Sequence, residues 1–163
     1  MIEREKRWKL KSDPPSSDIK DKYTIEQTYA NFSPDVRIRK ITSSDNQDTY
    51  FHTVKYQLQD NTREELEHRI SKERYDRIFE VIGKTPVVKE RTIIELSDSL
   101  VAEMDCFLDT GDTIVEVEFP SEESMNDFVA PDWFGKELEK NKSFSVEEFC
   151  RINNIKGSLW GDL

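Results

Sequence analysis

Along this chain, apolar and charged residues alternate with a period of two, in segment after segment. Residues 2–10 (IEREKRWKL) place Glu3, Glu5 and Arg7 on one parity and Trp8 on the other, the spacing of a β-strand whose side chains point to opposite faces in turn. Further strand-like runs follow at 23–30 (YTIEQTYA), 35–41 (DVRIRKI), 49–58 (TYFHTVKYQL), 63–70 (REELEHRI), 86–96 (PVVKERTIIEL), 100–108 (LVAEMDCFL) and 113–119 (TIVEVEF). Turn chemistry separates them, and residues 11–22 (KSDPPSSDIKDK), with Pro-Pro among Ser and Asp, are expected to be a loop. Tyr75, Ile78, Phe79 and Ile82 recur at helical spacing ahead of Gly83, so 71–83 predicts a helix. Residues 121–129 predict a second helix, and Ser145 with Glu148, spaced as a capping box, opens a third. Roughly eight strands and three helices, with connections too short for parallel crossovers, make an antiparallel α+β fold.

The charges on these strands pose a problem. Glu3, Glu5 and Arg7 share a face; so do Arg37 and Arg39, Arg63 with Glu65 and Glu67, Lys89 and Arg91, Glu103 and Asp105, and Glu116 and Glu118. Side chains at i and i+2 stand about 7 Å apart, so each mostly like-signed cluster costs electrostatic energy. A solvated sheet face explains apolar/polar alternation in general, yet such a face could use Thr, Ser and Gln instead. The cost is removed if the sheet closes into a barrel with charged rows facing one another inside and apolar rows outside under the helices. Such an interior sets Arg7, Arg37, Arg39, Lys55, Lys89 and Arg91 against Glu3, Glu5, Glu65, Glu67, Glu103, Asp105, Glu116 and Glu118. Buried charges are paired or bind ions. Converging Arg and Lys suit phosphate oxygens, and carboxylates without His or Cys suit hard cations, Mg2+ or Mn2+.

Composition narrows the function classes. With 24 basic against 34 acidic side chains and a formal net charge of -10, a non-specific grip on nucleic acid or on an anionic membrane is disfavoured. Any polyanion is met in a local basic pocket. The 163 residues fit one domain, 1–163. Cys106 and Cys150 lack metal-type spacing, His52 and His68 read as strand side chains, and no apolar run approaches a membrane span or a signal core. A cytoplasmic protein is expected, a monomer or homodimer acting on a small molecule.

The segments EREKR (3–7), RIRK (37–40), TVKY (53–56), REELE (63–67), KER (89–91), AEMDCF (102–107), VEVEF (115–119) and PDWFGKEL (131–138) resemble, in order and down to roughly residue 150, the successive blocks of the CYTH superfamily, the triphosphate tunnel metalloenzymes. This resemblance implies an eight-stranded antiparallel tunnel that binds a triphosphate and a divalent metal. It implies Arg7, Arg37, Arg39, Lys55, Lys89 and Arg91 as phosphate ligands, with Lys136 reaching the tunnel mouth. Glu3, Glu5 and Glu118 would be the leading metal ligands, joined by Glu103, Asp105 and Glu116. Glu3, Glu5, Arg7, Glu65 and Glu67 would form the catalytic set, with Glu65 and Glu67 among the groups orienting water or pairing with the basic row. Two departures stand out: Arg7 replaces the usual final Lys of the ExExK signature, and the tail 151–163, which contains Trp160, has no clear counterpart. The short form is most similar to bacterial-type inorganic tripolyphosphatases, so tripolyphosphate hydrolysis is the first expectation. Nucleoside or thiamine triphosphate hydrolysis, or class IV adenylyl cyclase activity, is the second. A non-catalytic polyphosphate-binding module is the alternative of another class.

Overall fold

The computed structural model describes residues 1–138 except 33, 60 and 98. The expected third helix and the 151–163 tail with Trp160 lie outside the described residues. Nine strands run in chain order as β1 (Ile2–Leu10), β2 (Ile19–Phe32), β3 (Asp35–Thr42), β4 (Asp48–Gln59), β5 (Thr62–Ile70), β6 (Val87–Glu95), β7 (Val101–Phe107), β8 (Thr113–Glu118) and β9 (Phe134–Glu137). Two helices interrupt them, α1 (Lys72–Ile82) and α2 (Glu122–Asp127).

The first eight strands close on themselves. All neighbours are antiparallel in the order β5-β4-β3-β2-β6-β7-β8-β1, and β1 returns to β5 through Ile2↔Glu64, Glu3↔Arg63 and Arg4↔Thr62. The expected eight-stranded barrel is therefore present, and closure removes the edges that an open sheet would expose. β5 and β9 share one edge of β1: β5 along residues 2–4 and β9 along 8–10.

Parity sorts the two faces as the alternation requires. Outside, Trp8, Ile94, Ala102, Val115 and Val117 are buried under Phe119, Met125 of α2, Trp133 and Phe134, with the Trp8 and Phe134 rings 4.9 Å apart, edge to face. On the neighbouring wall α1 lies over β2, β3 and β4, its Tyr75 ring 5.0 Å from Tyr50. Both helices start where the chain supplies a cap: Ser71 Oγ accepts from Arg74 N–H and Ser121 Oγ from Ser124 N–H. α1 ends on Gly83 at φ 62°, a left-handed turn that glycine adopts without a Cβ penalty.

Two local expectations are corrected. The loop ends before residue 22, because Ile19–Lys22 already pair with β6, Ile19 opposite Ile94 and Asp21 opposite Ile93 across an irregularity. Turn-forming residues next to Pro-Pro are overridden by a partner strand. The segment 134–137 is a ninth strand, docked where a Cβ on Gly135 would come within 2.7 Å of Lys9 O. Lys6, on the outward parity, has Glu137 of that strand at 3.9 Å. Among the described residues no helix is long and apolar enough to cross a membrane.

Candidate active site

A cavity of about 360 Å³ runs inside the barrel. All fourteen side chains expected in the interior line it: Glu3, Glu5, Arg7, Arg37, Arg39, Lys55, Glu65, Glu67, Lys89, Arg91, Glu103, Asp105, Glu116 and Glu118 are present on its wall, and Lys136 of the wider set is not. Lys136 is exposed on β9 and is not among the residues that line the cavity.

The wall has a division of charge. β7, β8 and β1 carry Glu103, Asp105, Glu116, Glu118, Glu3 and Glu5; β6, β3 and β4 carry Lys89, Arg91, Arg37, Arg39 and Lys55; β5 mixes Arg63, Glu65 and Glu67. β2 contributes a neutral row, including Gln27 and Tyr29. At the base Tyr29, Val87, Phe107 and Ile114 cluster as a buried apolar group, with Phe32 and Leu138 packed against them.

Ion pairs knit the halves together. Asp105 Oδ2 accepts from Lys89 Nζ at 2.5 Å, and Arg91 donates to both Asp105 oxygens at 2.7 and 2.8 Å, the forked geometry that guanidinium offers a carboxylate. Arg91 also meets Glu103 at 2.5 Å. Lys55 Nζ lies 2.8 Å from Glu3 and 3.2 Å from Glu65. Glu67 accepts from Arg39 and, at 2.8 Å, from Thr53 Oγ1. Arg37 pairs with Asp35 at 2.7 Å and stands over the Tyr29 ring, 5.9 Å from its centroid. Arg7 spans two carboxylates, donating from Nε to Glu116 at 2.7 Å and from Nη2 to Glu5 at 2.8 Å. Lysine's single ammonium has no such planar fork, so the Lys-to-Arg departure in the signature places a carboxylate clamp here.

Burial and neighbours push these groups apart in acidity. Burial raises Glu3 to about 7 despite Lys55, with Glu65 and Glu5 adding repulsion. Burial likewise raises Glu103, and burial with the nearby Glu103 raises Glu118. Burial would also raise Asp105, but Lys89 and Arg91 overcome it and hold the carboxyl at about 2. Partial burial would raise Glu116 too, yet Arg7, Lys55 and Arg91 hold it well below the ordinary range. Burial lowers Lys89 to about 8, more than Asp105 can offset.

The donor set fits a hard divalent cation. Glu5 faces Glu118 directly across β1 and β8, and Glu103 faces Glu116 across β7 and β8, two like-charge juxtapositions that destabilise a sheet and that an oxygen-seeking cation relieves. Among the described residues no three acidic, His or Cys side chains already converge as a coordination shell; Glu3, Glu5, Glu103, Asp105 and Glu116 are turned to basic partners instead.

Three further polar residues, Arg63, Gln27 and Tyr29, line the cavity without a role in the sequence pattern. Arg63, counted in the charge pattern but given no role, brings Nη1 to 3.4 Å from Glu5 Oε1. Gln27 and Tyr29 belong to the strand without inward charge, and only the register Gln27↔Arg39 and Tyr29↔Arg37 reveals their side.

A closed antiparallel tunnel with facing acidic and basic rows is the architecture implied by the resemblance to triphosphate tunnel metalloenzymes, and this chain has that architecture. No family model matches the chain. It is 31% identical over 97 residues to the inorganic triphosphatase of Nitrosomonas europaea, a match spanning 58% of this chain and 64% of that protein. The crystal structure of the inorganic triphosphatase NE1496 superposes with a TM-score of 0.59 at 24% identity, over 90% of this chain and 93% of that one. The PH1819 protein from Pyrococcus horikoshii OT3 shares the fold, with a TM-score of 0.56 at 17% identity, over 95% and 92% of the two chains.

Proposed function

We propose that this protein is a divalent-metal-dependent hydrolase of triphosphates, acting first on inorganic tripolyphosphate to give pyrophosphate and phosphate. The observation that carries the reading is the juxtaposition, inside the cavity of one closed barrel, of directly opposed carboxylates with a wall of Arg and Lys. A triphosphate and a hard cation neutralise both sets together. Likeness to a protein named inorganic triphosphatase favours the inorganic substrate.

In this reading Arg37, Arg39, Lys55, Lys89 and Arg91 hold the phosphoryl oxygens and offset the charge that spreads over them as the bond breaks. Glu3, Glu5 and Glu118 hold Mg2+ or Mn2+, with Glu103, Asp105 and Glu116 beside them. The ion, when bound, supplies Lewis-acid polarisation of phosphoryl oxygens. Arg7 keeps Glu5 and Glu116 in fixed orientation. Glu67, held by Thr53 and Arg39, and Glu65, near Lys55, orient water on the basic side of the cavity in the same reading. Lys136 has no part in it. A cytoplasmic setting belongs to the same reading.

The test is release of phosphate and pyrophosphate from tripolyphosphate and from ATP, each with Mg2+, with Mn2+ and with chelator, for the wild type and Glu5→Gln. The expected result is metal-dependent release from tripolyphosphate that the variant reduces at least about a hundredfold, since one ligand and its charge are lost, with an unchanged circular dichroism spectrum because Gln keeps the volume. Pyrophosphate from ATP without free phosphate would assign a cyclase. Tight tripolyphosphate binding with no product from any substrate would assign a binding module.

A further inference from the structure

Gln27 is 1% exposed, lines the tunnel, and has no hydrogen-bond partner for either its Nε2 or its Oε1. A buried amide with both atoms unpaired is rare in folded proteins, because neither atom recovers what it gave up on leaving water. Its position is equally specific. The register sets Gln27 directly between Arg39 on β3 and Val87 on β6, one step along the inward rows from Arg37 and Lys89. Two of these neighbours share its condition: Arg37 Nε and Arg39 Nε are buried donors without a partner, although other atoms of both guanidinium groups are engaged with Asp35, Tyr29 and Glu67. Three unpaired N–H donors thus lie on adjacent inward positions of β2 and β3.

We infer that Gln27 is a ligand-contacting residue of the tunnel, donating from Nε2 to a non-bridging oxygen of the triphosphate in a subsite shared with Arg37 and Arg39. The inference rests on the triphosphate reading and adds to it an uncharged contact within the basic half. An amide there does work that a third cation would not: it donates to phosphate without adding positive charge between two arginines. Its Oε1 takes a hydrogen from ligand-bound water, so the residue suits a hydrated polyanion and no apolar ligand.

A purely structural role and a ligand role predict opposite signs. Gln27→Met keeps the length of the side chain and removes both unpaired atoms, so the ligand-free protein should melt at the same temperature or higher, as replacement of an unsatisfied polar group by an apolar one allows. Its dissociation constant for tripolyphosphate, measured by calorimetry in chelator to keep metal out of the comparison, should weaken roughly ten- to a hundredfold, the range for a hydrogen bond to a charged group. Gln27→Glu keeps the shape, sets a carboxylate against the phosphate, and should weaken binding further; it carries the test should the Met variant fail to fold. Wild-type affinity retained by both variants would overturn the inference while leaving the triphosphate reading intact. A wild type that binds no tripolyphosphate would overturn both.

Discussion

On the acidic side of the tunnel, like charges are set directly across from each other: Glu5 opposite Glu118, and Glu103 opposite Glu116. On the basic side no cation faces another among the described residues. Arg37 is flanked by Tyr29 and Thr53, Arg39 by Gln27 and Phe51, Lys89 by Ile25 and Phe107, Arg91 by Tyr23 and Asp105, and Lys55 by Asp35 and Glu65. The two walls therefore differ in what they need. Interleaved neutral and acidic neighbours let the cations stay charged in the resting protein, whereas the opposed carboxylates of the other wall carry repulsion that only a proton, an internal base or an external cation relieves.

The strongest way to break this contrast is at its seam. Asp105 holds both Lys89 and Arg91, so Asp105→Asn should strand two buried cations and lower stability by about 3–5 kcal/mol, read as a fall in the denaturation midpoint. Tripolyphosphate in chelator should then raise the melting temperature of the variant more than that of the wild type, because the anion replaces the lost partner. An unchanged midpoint would mean that the basic wall is not held by its acidic neighbours.

A smaller effect is expected from pH. Glu3, raised to about 7, and Glu103 and Glu118, also raised, bind protons in the folded state at pH values where the unfolded chain has released them. Stability without metal should therefore fall as pH rises from the ordinary glutamate range through about 7. Mg2+ should flatten that slope, since the cation takes over from the proton. Asp105, held at about 2, acts in the opposite sense, and its contribution is lost only as pH falls from the ordinary aspartate value through about 2. Melting curves from pH 5 to 8, with and without Mg2+, check both signs; a slope that rises with pH in chelator would remove the distinction between the walls.

The smallest change sharpens the contrast most directly. Glu118→Gln removes one member of an opposed pair and should stabilise the metal-free protein by about 0.5–1 kcal/mol, while reducing the stabilisation gained from Mn2+. A neutral effect in both conditions would show that Glu5 and Glu118 do not feel each other.

Much of this interior was legible because the alternation is strict: a charge at every second position of β1, β3 and β8 can point only one way once Trp8, Val115 and Val117 claim the outer core. What could not be read was adjacency around the barrel. That Glu5 meets Glu118, or that Glu103 meets Glu116, follows from strand order and register, which no single strand encodes. Gln27 and Tyr29 escaped notice because their strand carries no inward charge, so its parity had nothing to mark it. Strand β9 escaped because four residues including Gly135 give no periodic signal, and its fit depends on the close approach to Lys9. Lys136 belongs to a block with no inward charge pattern of its own, and it is not among the residues that line the cavity.

The position of β1 also governs the order of events in making the molecule. It precedes the other strands of the barrel in the chain, yet its barrel partners are β5 and β8, and Arg7 meets Glu116 across 109 positions of chain. Glu3, Glu5 and Arg7 thus have no complete neighbourhood until residues up to 118 have emerged and the ring has closed. Contacts this distant in sequence carry a large loop-closure entropy before they return any stabilisation, which slows folding. The charged side chains of the cavity therefore assemble together at the last closure, so a nascent or truncated chain ending before β8 carries the whole basic row but no closed tunnel.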